Sequence, residues 1–197
     1  MPFMILPFFL LFLAILAYFR RKSTNSQKEA EERFWNREQE ANETRRQDIS
    51  GLDYITIPLE KFPLNLHTDA EQTIQSLADK KILNLTGLSN TDLKLQYGAA
   101  NLDALSEYEE NFVTLVSQIP VYAQELLDAG DSGSAQTVLE FGVDCRADVG
   151  QIYTMLADIY QASQKTEEIE RLIDIVKELP TFSKNVIISK LEAIINP

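Results

Sequence analysis

The feature that most constrains this chain is a period. Seven pairs of core-type positions recur 34 residues apart: Ile119 with Tyr153, Tyr122 with Leu156, Ala123 with Ala157, Leu126 with Tyr160, Ala135 with Ile169, Leu139 with Ile173, and Gly142 with Val176. Within each copy the three- and four-residue steps describe two amphipathic helices. A tight turn separates them, at residues 129–134 in the first copy and 163–166 in the second. Ile187, Leu191 and Ile194 carry the same register into a third half-copy. Each helix pair has an apolar face it cannot bury alone, so neighbours must stack and a terminal helix must cap the stack.

This pattern resembles the tetratricopeptide repeat, a helix–turn–helix with a large–small pair on its first helix and an aromatic three residues beyond. Leu156-Ala157 with Tyr160 matches well; Tyr122-Ala123 is followed by Leu126 in place of the aromatic. Gly130 and Asp131 look like the usual turn, Ala135 sits at the small site, and Pro180 closes the second copy. Ile169 is bulkier than the family pattern, and Gln164 stands where a turn glycine belongs. The resemblance covers residues 116–197. An ordinary helical bundle with an accidental spacing is the competing reading, and seven coincident pairs at one period weigh against it.

The resemblance implies a platform that binds partner proteins on the concave face of the first helices. The spacing places Gln124, Asp128, Gln151, Thr154, Asp158, Asn185 and Glu192 on that face. None is Lys or Arg, so the family's two-lysine clamp for a peptide carboxylate is absent. Residues 103–197 hold 17 acidic and 6 basic side chains. A basic or neutral partner segment therefore suits the face better than an acidic one. The bland alternative is a solvated acidic surface.

At the other end, residues 1–19 (MPFMILPFFLLFLAILAYF) contain no charged side chain and stop at Arg20, Arg21 and Lys22. Such a run reaches roughly 27 Å as a helix, about one hydrocarbon thickness. The expectation is a membrane anchor over residues 1–22, with residues 2–19 in a lipid bilayer and Tyr18, Arg20, Arg21 and Lys22 at its interface. A cleaved signal peptide fits less well, since no cation precedes the apolar core and no small-residue site follows it. A buried core helix is the remaining alternative. The cations on the C-terminal side predict a single-pass cell-membrane protein with its N-terminus outside and its soluble domain in the cytoplasm.

Between anchor and repeats, residues 23–48 are polar and rich in helix formers, which predicts a juxtamembrane helical stalk. Phe34 and Trp35 are its only large apolar groups, too few for a coiled-coil seam. They stand on a solvated stalk or dock on the soluble domain or a partner. Residues 49–115 predict an extended arm followed by the N-terminal helices of the soluble domain. Pro58 and Pro63 keep the arm from forming a strand, and Leu59, Phe62 and Leu64 are placed to insert into a helical surface. Thr68 and Glu71 form a capping box, predicting a helix of about a dozen residues that ends near Lys80-Lys81. A short helix follows Ser89 or Asn90 and ends at Gly98, and a longer one starts at Asn101, kinked or split at Pro120.

Composition narrows the function. A net charge of −12 argues against nucleic-acid binding. One Cys excludes an intrachain disulfide and any Cys-based metal cage. His67, the only His, has no nucleophile or carboxylate arranged with it in sequence, and Cys145 reads as a packed or surface thiol. Asn42 and Asn84 head sequons, a pattern common by chance. No catalytic, metal or cofactor constellation emerges. The fold expected is all-α: a single transmembrane helix, a short extended arm and an α-solenoid-like domain. The function expected is a membrane-anchored, non-catalytic scaffold for protein–protein interaction. Alternatives are an extracytoplasmic envelope or secretion assembly factor with the same domain, and a self-associating structural membrane protein, a homo-oligomer.

Overall fold

The computed structural model describes residues 5–195. It is all-α, with no strand among the described residues: α1 (Ile5–Glu43), α2 (Asp69–Leu77), α3 (Asn90–Tyr97), α4 (Leu102–Asp128), α5 (Ser132–Asp144), α6 (Gly150–Ala162), α7 (Thr166–Glu178) and α8 (Lys184–Ile195). The chain divides into two units: residues 1–47 with 90–100, and residues 48–89 with 101–197.

The first unit pairs α1 with α3. Lys94 donates to Glu38, and Thr91 donates to the same carboxylate at 2.8 Å. Arg37 pairs with Asp92, and Lys94 also reaches Asn42 Oδ1 at 2.9 Å. Ala41 and Leu93 are buried. Gly98 ends α3 with φ +87, and a Cβ there would lie 2.5 Å from the Arg45 carbonyl oxygen. Only glycine meets both conditions. Phe34 and Trp35, 56% and 64% exposed, stack edge to face on each other at 5.3 Å. They contribute nothing to a core, as on a solvated stalk.

The anchor expectation is overturned. Among the described residues no helix is long and apolar enough to cross a membrane. The uncharged part of α1 within them, residues 5–19, reaches roughly 22 Å against a hydrocarbon core of about 30 Å. The helix itself continues to Glu43, but the cations at 20–22 end its apolar run before it gains the missing turns. Residues 1–4, which the expectation also used, lie outside the described residues, as do residues 196 and 197 of the repeat region. With the span goes the premise for an N-terminus outside and a cytoplasmic domain.

In the second unit, α4 to α8 pack as successive neighbours, and α4–α6 and α6–α8 also touch. This is a helical domain of packed helix pairs, compatible with a helical repeat. All fourteen residues of the seven 34-spaced pairs are buried. Tyr122, Tyr153, Leu139 and Ile119 are completely enclosed. Each such side chain contributes roughly 1.5–3 kcal/mol by leaving water. Gly142 is small because it must be: a Cβ would come within 3.1 Å of both Ile119 and Ile152. Ile187 and Leu191 are buried in α8 and Ile194 is half-buried, so the third half-copy keeps its register.

α2 packs against α4 and supplies the layer ahead of the repeats. It is shorter than the capping-box reading predicts, stopping at Leu77, because residues 78 and 79 form a turn ahead of Lys80 and Lys81. The arm is extended but no strand; the Ile55 N–H donates to the Ile82 carbonyl at 2.9 Å. Phe62 is buried edge to face against Phe141 at 5.5 Å, while Leu59 and Leu64 are half-buried on the same core. α4 is one helix despite Pro120, which is buried inside it. The proline removes only the bond to the Val116 carbonyl, and packing on both flanks holds the helix together.

Candidate functional site

A concavity in the helical domain lies between α6 and α8. It is a groove of about 490 Å³ lined by Asp148, Gly150, Gln151, Thr154, Ser183, Val186, Ile187 and Lys190. Its floor is set by Gly150, where a Cβ would meet Ile187 at 3.2 Å. α8 can therefore come close to the start of α6. Its upstream wall is fixed by Tyr153, whose hydroxyl donates to the Ala147 carbonyl at 2.8 Å and pins the loop before α6. Its far end is tied by Gln161, which donates to the Ile194 carbonyl at 2.7 Å.

Two of the spacing-derived candidates, Gln151 and Thr154, come together in this groove. Thr154 is half-buried, and its hydroxyl donates back to the Gly150 and Gln151 carbonyls at 3.2 Å each. Gln124 and Asp128 are exposed on α4 and bonded to each other at 2.8 Å. Asp158, Asn185 and Glu192 are exposed on α6 and α8 and do not line the groove.

Lys190 was not among the candidates. It occupies the register of Tyr122 and Leu156, the large apolar site of each copy. Those two are enclosed, whereas among the described residues no further helix covers α8, and Lys190 is exposed. The signal was present in the sequence as a cation at a core position of the last half-copy.

Two smaller clefts lie on the same domain. One of about 350 Å³ is lined by Asp53, Asn84, Asp144, Cys145 and Arg146 among others. Cys145 is buried, and burial first, with Asp144 beside it, pushes its thiol up to about 12. It is a packed thiol and a poor nucleophile. Asn84 donates its side-chain amide to the Cys145 and Arg146 carbonyls at 2.9 and 3.3 Å, so this sequon asparagine is built into the fold. The other cleft, of about 150 Å³, lies beside Tyr160, whose hydroxyl donates to Glu140 at 2.8 Å. Burial, then the Glu140 bond, pushes that phenol well above its ordinary range.

His67 is exposed with φ +57, on the loop that Glu71 holds. Among the described residues no group of His, Cys, Asp and Glu could hold a metal ion. Tyr18, Arg20, Arg21 and Lys22 are all exposed on α1, with the Tyr18 and Phe19 rings edge to face at 5.8 Å.

The fold and groove define a class, a helix-pair domain with an open inter-helix cleft. Set beside known proteins, the chain matches no protein-family model, no curated protein and no solved structure.

Proposed function

We propose that this protein is a non-catalytic scaffold whose tetratricopeptide-like domain docks a segment of another protein in the α6–α8 groove. The observation that carries the reading is the groove's construction. An apolar floor at Gly150 and Ile187 lies under a polar rim of Asp148, Gln151, Thr154 and Lys190. That composition suits an extended segment, with an apolar side chain on the floor and backbone polar groups on the rim. The seven buried 34-spaced pairs support the repeat reading behind it. The acidic excess over residues 103–197 favours a partner segment that is basic or neutral.

The test is site-specific photocrosslinking in cells of the source organism. A photoreactive residue replaces Gln151 in one strain and the exposed Glu170 of α7 in another. The reading expects a discrete crosslinked partner from position 151, none at the same mass from position 170, and loss of the product when Thr154→Arg fills the groove. The same products from both positions, or none from either, would sink it.

A further inference from the structure

Among the described residues, a continuous run of exposed large apolar side chains lies on α1. Phe9, Leu10, Leu11, Phe12, Leu13, Ile15, Leu16, Tyr18 and Phe19 are each between 43% and 63% exposed. At about 100° per residue these positions point in every direction around the helix. A helix that is apolar all round is stable only when surrounded by apolar material. Water does not provide that, and neither does a flat protein face, which covers one side only. Arg20, Arg21 and Lys22 follow at once, with Lys28 two turns on, and all are exposed.

We propose that an anionic lipid surface holds this stretch, embedded at the depth of one leaflet and without crossing the bilayer. Dimensions favour that depth. One leaflet of hydrocarbon is about 15 Å thick, half of the whole core, and a helix with its side chains is about 10–12 Å across. The stretch fits inside one leaflet lying flat or tilted, covered on all sides. The four cations then sit at the anionic headgroups, which attract each of them. Tyr18, apolar in body and polar at its tip, lies at the boundary between the two regions. The inference is independent of the groove: it rests on α1 alone and survives if no segment docks between α6 and α8.

The full-length chain is tested by flotation with vesicles of phosphatidylcholine and phosphatidylglycerol, and with vesicles of phosphatidylcholine alone. It floats with the anionic vesicles. Arg20→Glu, Arg21→Glu and Lys22→Glu together weaken that binding on the order of a hundredfold, and Phe9→Asp, Leu13→Asp and Leu16→Asp abolish it. The melting of the remaining helices serves as the folding control. For depth, Trp35→Phe removes the only Trp and Phe12→Trp places a new one in the stretch. Brominated lipids labelled high on the acyl chain quench it more than lipids labelled near the bilayer centre. A chain that stays with the soluble fraction as a lipid-free multimer overturns the proposal. So does quenching strongest at the bilayer centre, the mark of a helix that crosses.

Discussion

Glu71 reaches back from the first turn of α2 to accept hydrogen bonds from the backbone N–H groups of Leu66 and His67, at 2.8 and 3.0 Å. Its side chain is almost wholly enclosed, with the residue 1% exposed. The other half of the capping box is present too, with the Thr68 hydroxyl accepting from the Glu71 N–H at 3.3 Å and donating to Glu125 at 2.7 Å. One carboxylate thus fixes how the arm enters the helical core. Glu71→Ala leaves the two backbone donors, and the Gln75 side-chain amide, without this acceptor and is expected to cost about 2–3 kcal/mol. Glu71→Gln keeps one good acceptor and costs less. Urea midpoints of the two variants check the order.

Tyr153 is the matching pin under the groove. Tyr153→Phe removes only the hydroxyl that holds the Ala147 carbonyl. The expected loss is about 1–1.5 kcal/mol, with faster amide exchange in residues 147–151. A variant as stable as the parent, with unchanged exchange, would show that the loop is held by packing alone.

Stability should fall on the alkaline side, and in an order. The Cys145 thiol is pushed from 9.0 up to about 12, and the Tyr122 phenol from 10.0 up to about 12, each chiefly by burial. Both groups are protonated, and so uncharged, in the folded chain, while the unfolded chain ionises them earlier. Their contribution is complete below pH 9 and is lost as pH rises towards 12. Cys145→Ala should remove the part of the fall that begins near pH 9 and leave the part that begins near pH 10, where the tyrosines enter. Urea midpoints measured from pH 8 to 11 separate the two; an identical slope in the variant would show that Cys145 is not the group responsible.

The α1–α3 pair should depend on its charges. The Lys94 bond, then the Thr91 bond, hold the Glu38 carboxyl below its usual range. Its contribution is present above the ordinary carboxylate pKa and is lost as pH falls. Lys94→Met should therefore speed amide exchange over residues 90–97 at neutral pH. It should also erase the fall in protection, relative to the intrinsic exchange rate at each pH, that the parent is expected to show on acidification. Protection factors at pH 7 and pH 4 in both chains measure it.

What the sequence made legible was the part governed by period. A buried helix face must repeat every three to four residues, and stacked pairs must repeat at the length of a pair, so the sequence alone places Ile119, Leu139, Leu156 and their partners in the core. The α1–α3 pair was not legible. It rests on polar contacts such as Glu38 with Lys94, 56 residues apart, and pairs of that kind leave no periodic trace. Leu83 and Leu85, buried in a stretch without helix, escaped for the same reason. The apolar N-terminal run misled because uniform hydrophobicity reports the solvent a helix wants and not the length of helix available to it. Gln151 and Thr154, which spacing places on one face, line the groove together. Lys190 was missed because it stands at a position that is core everywhere else in the repeat.

The most direct measurement of the central claim is affinity at the groove. A peptide from the segment crosslinked at position 151 is titrated against the full-length chain and against Thr154→Arg, with helical content and melting point matched between the two. If the α6–α8 groove is the docking site, Thr154→Arg weakens binding at least about tenfold, a difference of about 1.4 kcal/mol. Glu170→Arg, on the outer face of α7, leaves it unchanged. Equal affinities for the parent and Thr154→Arg would contradict the account and move the function of this domain to another face.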